Sequence, residues 1–157
     1  MSMDTQKTHI RWMIKRDMEQ VMRIEASSFR EPWTRADFER RMHNRHVIAK
    51  VIATDDNIVG YLVYELHRHY VQILNLAVDP YRRLQGIGRR LIDDQKTKIR
   101  QDTLRRCLWA DVFGNNIPAQ QFLNACGFAC AEIWEDAWCY DDGTEDDVYR
   151  FVYSLEA

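Results

Sequence analysis

Apolar positions along this chain follow two periods. Residues 9–14, 46–54, 58–66 and 70–78 alternate with polar ones or run apolar, as strands do. Between the first two runs, Met18, Val21, Met22 and Ile24-Glu25 fall on a helical pattern within residues 16–27, with Asp17 near the start. Thr34 suits the N-cap of a second helix reaching about Met42, since its hydroxyl can accept from an otherwise orphaned N–H. Asp55, Asp56 and Asn57 supply turn chemistry for a hairpin between residues 46–54 and 58–66. A longer helix is predicted to follow residues 79–86 and to end near Gln101, with another strand over residues 105–112. Pro118 fits the first turn of a short helix reaching Cys126, and Gly127 fits its C-cap. Residues 128–140 and 148–155 read as the last strands, with Asp141, Asp142 and Gly143 beginning the turn between them. The sum predicts a mixed α/β sheet with helices on both faces. No repeat, low-complexity tract or linker interrupts it, so residues 1–157 are expected to form a single domain.

Composition excludes more than it identifies. A chain of 157 residues, 46% apolar and 29% charged, is ordinary for a globular protein with one core. A net charge of −2 gives no general argument for nucleic acid or an anionic membrane as partner. The N-terminal stretch lacks the apolar core of a signal peptide and no run approaches a membrane span, so a cytoplasmic location is expected. Cys107, Cys126, Cys130 and Cys139 lack paired C-x-x-C spacing and read as buried or half-buried thiols. His67 and His69 flank Arg68 and would share one strand face, but two ligands without a third make a polar strand end, and no metal is expected.

Chemistry concentrates where residues 70–78 give way to the next helix. Asn75, Leu76, Ala77 and Val78 lead through Asp79-Pro80-Tyr81-Arg82 into Arg83-Leu84-Gln85-Gly86-Ile87-Gly88-Arg89. A strand that stops at such a loop offers several backbone N–H groups at the positive end of a helix dipole, which suits a phosphate. Gly86 and Gly88 carry no Cβ and allow close approach of a bulky anion, while the arginines supply counter-charge. Leu91 stands where a dinucleotide fingerprint needs its third glycine, and the Gly-Lys-Ser/Thr of a nucleoside-triphosphate loop is absent. An ordinary strand–turn–helix is the competing reading of two glycines alone.

Arg83-Leu84-Gln85-Gly86-Ile87-Gly88 resembles the R/Q-x-x-G-x-G/A acetyl-CoA motif of the GCN5-related N-acetyltransferases (GNAT). Ser28-Phe29-Arg30-Glu31-Pro32-Trp33-Thr34, Leu108-Trp109-Ala110-Asp111-Val112 and residues 116–128 resemble the RimI-type protein N-terminal acetyltransferases. The resemblance runs from about residue 10 to the C-terminus. It implies a single-domain GNAT fold, with a mixed, mostly antiparallel sheet of about seven strands flanked by about four helices. It further implies acetyl-CoA as co-substrate and no metal. The pyrophosphate would lie over Arg83, Leu84, Gln85, Gly86, Ile87, Gly88 and Arg89, and the pantetheine arm along Leu76, Ala77 and Val78. A backbone N–H there would stabilise the thioester oxygen as charge develops on it. Asn116 matches the residue that hydrogen-bonds the arm, and it fits an N-cap equally well.

Asp111 matches the position of a catalytic Glu, one methylene shorter, so a relay water is expected if it serves as base; the competing role is holding a neighbouring loop. Leu123, on the cofactor side, stands where close relatives carry the Tyr that protonates the leaving thiolate. Tyr140 is the first substitute for that acid, ahead of Tyr81 or water. Phe29, Pro32 and Trp33 would form one wall of the acceptor cleft, and Asp111 and Tyr140 would also meet the acceptor. The carboxylates of residues 141–147 would either rim that cleft or form a solvated loop. The implied acceptor is a protein or peptide N-terminal α-amine, with a ribosomal protein among the candidates. A small-molecule amine acetyltransferase and a non-catalytic acyl-CoA-binding module remain the alternatives.

Overall fold

A computed structural model describes residues 7–55 and 57–155 of the chain. Its strands are β1 (His9–Trp12), β2 (Val47–Ala53), β3 (Ile58–Leu66), β4 (Tyr70–Val78), β5 (Cys107–Phe113), β6 (Ala129–Cys139) and β7 (Glu145–Ser154). Its helices are α1 (Met18–Ser28), α2 (Arg35–Met42), α3 (Ile87–Gln101) and α4 (Ile117–Ala125). The strands form a seven-stranded sheet in the order β1-β2-β3-β4-β5-β7-β6. Pairing is antiparallel for β1/β2, β5/β7 and β6/β7, and parallel for β4/β5. The α/β class and the mostly antiparallel sheet with four helices agree with expectation.

The chain divides into two compact units: residues up to Tyr64 with Asn75–Leu91, and Glu65–Leu74 with the residues from Ile92 onward. The divisions fall inside β3, β4 and α3. In the first unit, Val21 and Ile24 of α1, Phe38 of α2, Ile52 of β2 and Leu62 of β3 are buried. In the second, Leu108, Ala110, Leu123, Phe128 and Phe151 are buried. Full burial of an aliphatic or aromatic side chain of this size stabilises by about 1.5–3 kcal/mol.

Local chemistry explains most element ends. Thr34 caps α2 as predicted: its hydroxyl accepts from Asp37 N (3.2 Å), and the Asp37 carboxylate accepts from Thr34 N (2.8 Å). α1 starts at Met18, two residues later than predicted, because residues 15–17 form a tighter 3-10 turn. There Asp17 accepts from Ile14 N (2.8 Å) and from both terminal nitrogens of Arg11 (2.7 and 2.8 Å). The Arg11 hydrogen bond holds the Asp17 carboxyl below the usual carboxylate range, against the opposing effect of burial. At the predicted β2–β3 turn, Thr54 N donates to Asn57 O (2.9 Å), while Asp56 lies outside the described residues.

β7 and two of the cysteines also depart from expectation. β7 begins at Glu145 rather than residue 148, so three of the carboxylates assigned to a loop belong to a strand. Their low strand propensity is overridden by pairing with β6, at Cys139↔Glu145 and Trp138↔Asp146. Asp146 and Asp147 are further tied by bonds from the Tyr140 hydroxyl (2.7 Å) and Asp136 N (2.8 Å). Cys130 and Cys139 are exposed rather than buried, because β6 ends the sheet order and all of its residues are exposed. Register shifts between Cys130 and Glu132 and between Trp134 and Trp138 interrupt that edge, a common protection against edge-to-edge pairing. Among the described residues, no helix is long and apolar enough to cross a membrane. Among the same residues, no group of three or more His, Cys, Asp or Glu side chains could hold a metal ion. His67 instead lies 2.7 Å from Glu65 and stacks on Tyr70.

Candidate active site

In the first unit, the loop after β4 is built by backbone geometry. Asp79 N donates to Val59 O (2.8 Å), and its carboxylate accepts from Tyr81 N (3.0 Å), starting a 3-10 turn over Pro80–Arg82. Leu84 then adopts φ 63° and Gly86 φ 77°. Anion-binding backbone nests use successive N–H groups in right- and left-handed or turn conformations, and this loop supplies two left-handed positions. Gly86 O accepts from Arg90 N (3.0 Å), so the loop leads directly into the first turn of α3. Nothing lies within 4 Å of the place a Gly86 Cβ would occupy, while Leu84 and Gln85 are exposed and Ile87 and Gly88 buried. An exposed backbone anchored by two buried residues fits a bulky phosphorylated ligand. Arg89 is exposed beside it. Arg83 is partly committed elsewhere: Nε donates to Val78 O (3.2 Å) and Nη2 to Ser28 Oγ (2.9 Å). Along β4, Leu76 and Val78 are half-buried, alternating with buried Asn75 and Ala77.

The same unit holds a polar cluster that sequence reading missed. Glu25, 1% exposed at the C-terminal half of α1, accepts from Trp33 N (2.9 Å), from Asn75 Nδ2 (2.8 Å) and from the Tyr61 hydroxyl. Burial, then the neighbouring Glu25 charge and hydrogen bond, push the Tyr61 hydroxyl pKa far above its ordinary value. Phe29 is half-buried just past α1. The Trp33 ring meets Phe38 edge-on at 5.1 Å, and the Arg41 guanidinium lies 5.1 Å from its centroid. Glu25 therefore fixes the backbone of the segment carrying Trp33, while Phe38 and Arg41 fix its ring.

The second unit holds the remaining predicted residues. Asp111, near the end of β5, lies opposite Arg150 of β7. Arg150 Nε and Nη2 donate to Asp111 Oδ1 (2.9 Å) and Oδ2 (3.0 Å), and this bond first raises the Arg150 pKa. The Arg150 guanidinium also covers the rings of Trp109 (4.4 Å) and Trp134 (4.8 Å). Asn116 caps α4, accepting from Ala119 N (3.3 Å), and Leu123 is buried within that helix. Tyr140 is buried; its hydroxyl donates to Asp146 (2.7 Å) and lies 3.3 Å from Asn115 Oδ1, so at rest its proton is engaged. Arg150 and Asp146 were not singled out from sequence; opposite charges on strands that prove to be neighbours were the available signal.

In the first unit residues 83–86 are exposed where the loop approaches α3, and in the second the Asp111 side chain of β5 is 28% exposed. The profile of the Acetyltransferase (GNAT) family matches residues 18–128, and the chain belongs to that family. It is an acetyl-CoA-dependent N-acetyltransferase. A Bacillus subtilis protein named "putative ribosomal protein bS18-alanine N-acetyltransferase" is 31% identical over 147 residues, spanning 93% of this chain and 95% of its own. The crystal structure of the ribosomal-protein-S18-alanine N-acetyltransferase from Escherichia coli superposes with a TM-score of 0.83 at 19% identity, covering 96% of each chain. Arabidopsis thaliana NAA60 in complex with acetyl-CoA gives a TM-score of 0.81 at 19% identity, over 96% of this chain and 100% of that one. The two structural likenesses speak for the fold.

Proposed function

We propose that this chain transfers acetyl from acetyl-CoA to the α-amine of a protein or peptide N-terminus by direct attack. The observation that carries the acceptor class is similarity over nearly the whole chain to a protein named for alanine N-acetylation. An N-terminal segment of a ribosomal protein is the acceptor this favours, and such a substrate would place the reaction in the cytoplasm. Residues 83–89 hold the pyrophosphate through backbone N–H groups, with Arg89 adding charge. Leu76, Ala77 and Val78 guide the pantetheine arm by their backbone, and Asn116 hydrogen-bonds it. Phe29 and Trp33 contact the acceptor's first side chains.

In this reaction the amine nitrogen forms a bond to the thioester carbon and must lose a proton. A peptide α-amine, with a pKa of about 7.7–8.0, needs only a modest base. Asp111 takes that proton through a water, which makes up for its short side chain. Collapse of the tetrahedral intermediate breaks the C–S bond, and the electron pair leaves with sulfur. A thiol pKa near 8.5 makes this a fair leaving group even without a strong acid. Leu123 cannot donate a proton, so Tyr140 or water supplies it. The exposed carboxylates of Asp141, Asp142 and Glu145 draw the cationic amine toward the site. A peptide with a free α-amine and an internal lysine tests the reading by product mapping in a mass spectrometer. Acetyl on the α-amine supports it; acetyl on the lysine overturns it.

A further inference from the structure

The face of the second unit that carries Asp111 also carries a continuous stack. Tyr70 of β4 stacks on Trp109 of β5 at 3.8 Å, and the Arg150 guanidinium fills the space between Trp109 and Trp134 of β6. β-Sheet register sets Asp111 and Glu132 on either side of Arg150, so its charged neighbours come from both flanking strands. From this geometry we infer that Arg150 is a positioning residue for acyl transfer: it locks the Asp111 carboxylate in the one orientation that receives the acceptor's proton. The inference rests on Asp111 serving as the base, as proposed above.

An exposed ion pair usually contributes little, because two flexible side chains must be ordered to form it. Here the side chains are only 21% and 28% exposed, and indole rings already hold the guanidinium by cation–π contact. The ordering is therefore largely supplied by packing, and the planar fork transmits it to both Asp111 oxygens at 2.9 and 3.0 Å. A carboxylate has about four lone-pair positions, and a side-on fork takes one on each oxygen. The remaining lone pairs are thereby aimed outward in a fixed plane, where they can orient the relay water. During the reaction the proton passes from the amine to that water while the water's own proton passes to Asp111. Arg150 keeps all of its protons. Glu132 and Tyr70 are the other titratable groups whose charges Arg150 senses, and neither bonds the Asp111 oxygens. Lysine could keep the charge at position 150 but not the fork or the two-sided stack.

The test compares Arg150→Met, Arg150→Lys, Asp111→Asn and the Arg150→Met/Asp111→Asn double variant, with a peptide acceptor and acetyl-CoA varied separately. Loss of orientation should lower kcat of Arg150→Met by about 10- to 100-fold, the scale of an ångström-sized misplacement. Both KM values should stay within about twofold, since ground-state binding is untouched. Arg150→Lys should recover only a small part of the loss, and the double variant should be no slower than Asp111→Asn alone. A change in tryptophan fluorescence would report that the guanidinium has left its ring partners. If Arg150→Met does not fold, Arg150→Gln, which can reach only one oxygen, carries the same comparison. Wild-type kcat in the Arg150 variants beside a slow Asp111→Asn overturns the inference and leaves the base assignment standing. Multiplicative losses in the double variant also overturn it, because Arg150 would then act independently. Wild-type turnover in Asp111→Asn removes the base assignment itself, and the inference with it.

Discussion

Glu25 is the buried group whose loss should be felt most. Glu25→Ala removes the acceptor for three donors: the Tyr61 hydroxyl, Asn75 Nδ2 and Trp33 N. Tyr61 and Asn75 are 1% and 8% exposed, so water cannot replace the carboxylate without rearrangement. Each orphaned buried donor costs about 1–3 kcal/mol, and the one lost methylene adds roughly 0.8 kcal/mol. Allowing for partial relaxation, Glu25→Ala should destabilise by about 3–6 kcal/mol. At roughly 2–4 °C per kcal/mol for a chain of this size, the midpoint should fall by about 6–24 °C. Glu25→Gln keeps the shape but turns an amide toward the donors, and should lose about 2–4 kcal/mol. Tyr61→Phe removes one donor and leaves the other two satisfied, so about 1–2 kcal/mol is expected. Urea denaturation with a common m-value measures all three variants. A Glu25→Ala loss below about 1 kcal/mol, or one equal to that of Tyr61→Phe, would refute the network as a load shared among three donors.

The other expectations concern Gly86, Asp111, Tyr140 and the partly buried Arg11–Asp17 ion pair. Gly86→Glu should weaken acetyl-CoA binding at least about tenfold through charge repulsion, with neutral Gly86→Asn, tolerant of positive φ, as the control; equal affinities in calorimetry would count against the phosphate assignment. Asp111→Asn should slow turnover by about 10²–10⁴-fold near neutral pH. That loss should shrink as pH passes the α-amine pKa of about 7.7–8.0, and a pH-independent loss would indicate a structural role. Tyr140→Phe should lower kcat by about tenfold with little change in either KM if its hydroxyl reprotonates sulfur. Unchanged kcat would assign that step to water. Asp17→Asn should cost about 1.5–3 kcal/mol at pH 7. Because the folded pKa of Asp17 is depressed, its contribution is complete above the unfolded value of about 3.9 and is lost as pH falls through the lower folded value. The gap between wild type and variant in denaturation should therefore close in acid, and a gap that persists there would contradict the ion-pair account.

Local features were legible in the sequence, and long-range polar pairings were not. Thr34 and Asn116 declared their caps because capping needs only a short polar side chain beside a helical run. β3 and β4 were placed at their observed ends because their apolar runs have sharp polar boundaries. Glu25 looked like one more helical position, since its partners Tyr61 and Asn75 lie 36 and 50 residues away. Arg150 was equally silent: only strand order brings it opposite Asp111, 39 residues earlier. The start of β7 was hidden by carboxylates whose compensating bonds come from β6 and Tyr140. Residues 83–89 stood out because two glycines sit among arginines there, and Gly86 takes the positive φ that glycine accepts without a Cβ clash. Leu84 takes a positive φ without being a glycine, and nothing in its side chain announces that.

Acetyl-CoA-dependent thiol release across short peptides of varied first residue, beside polyamines and free amino acids, separates a protein α-amine acceptor from a small-molecule amine. Selective turnover of peptides with a free α-amine is the predicted result. Turnover confined to small amines would contradict the protein acceptor, and acetyl-CoA binding without any thiol release would contradict catalysis itself.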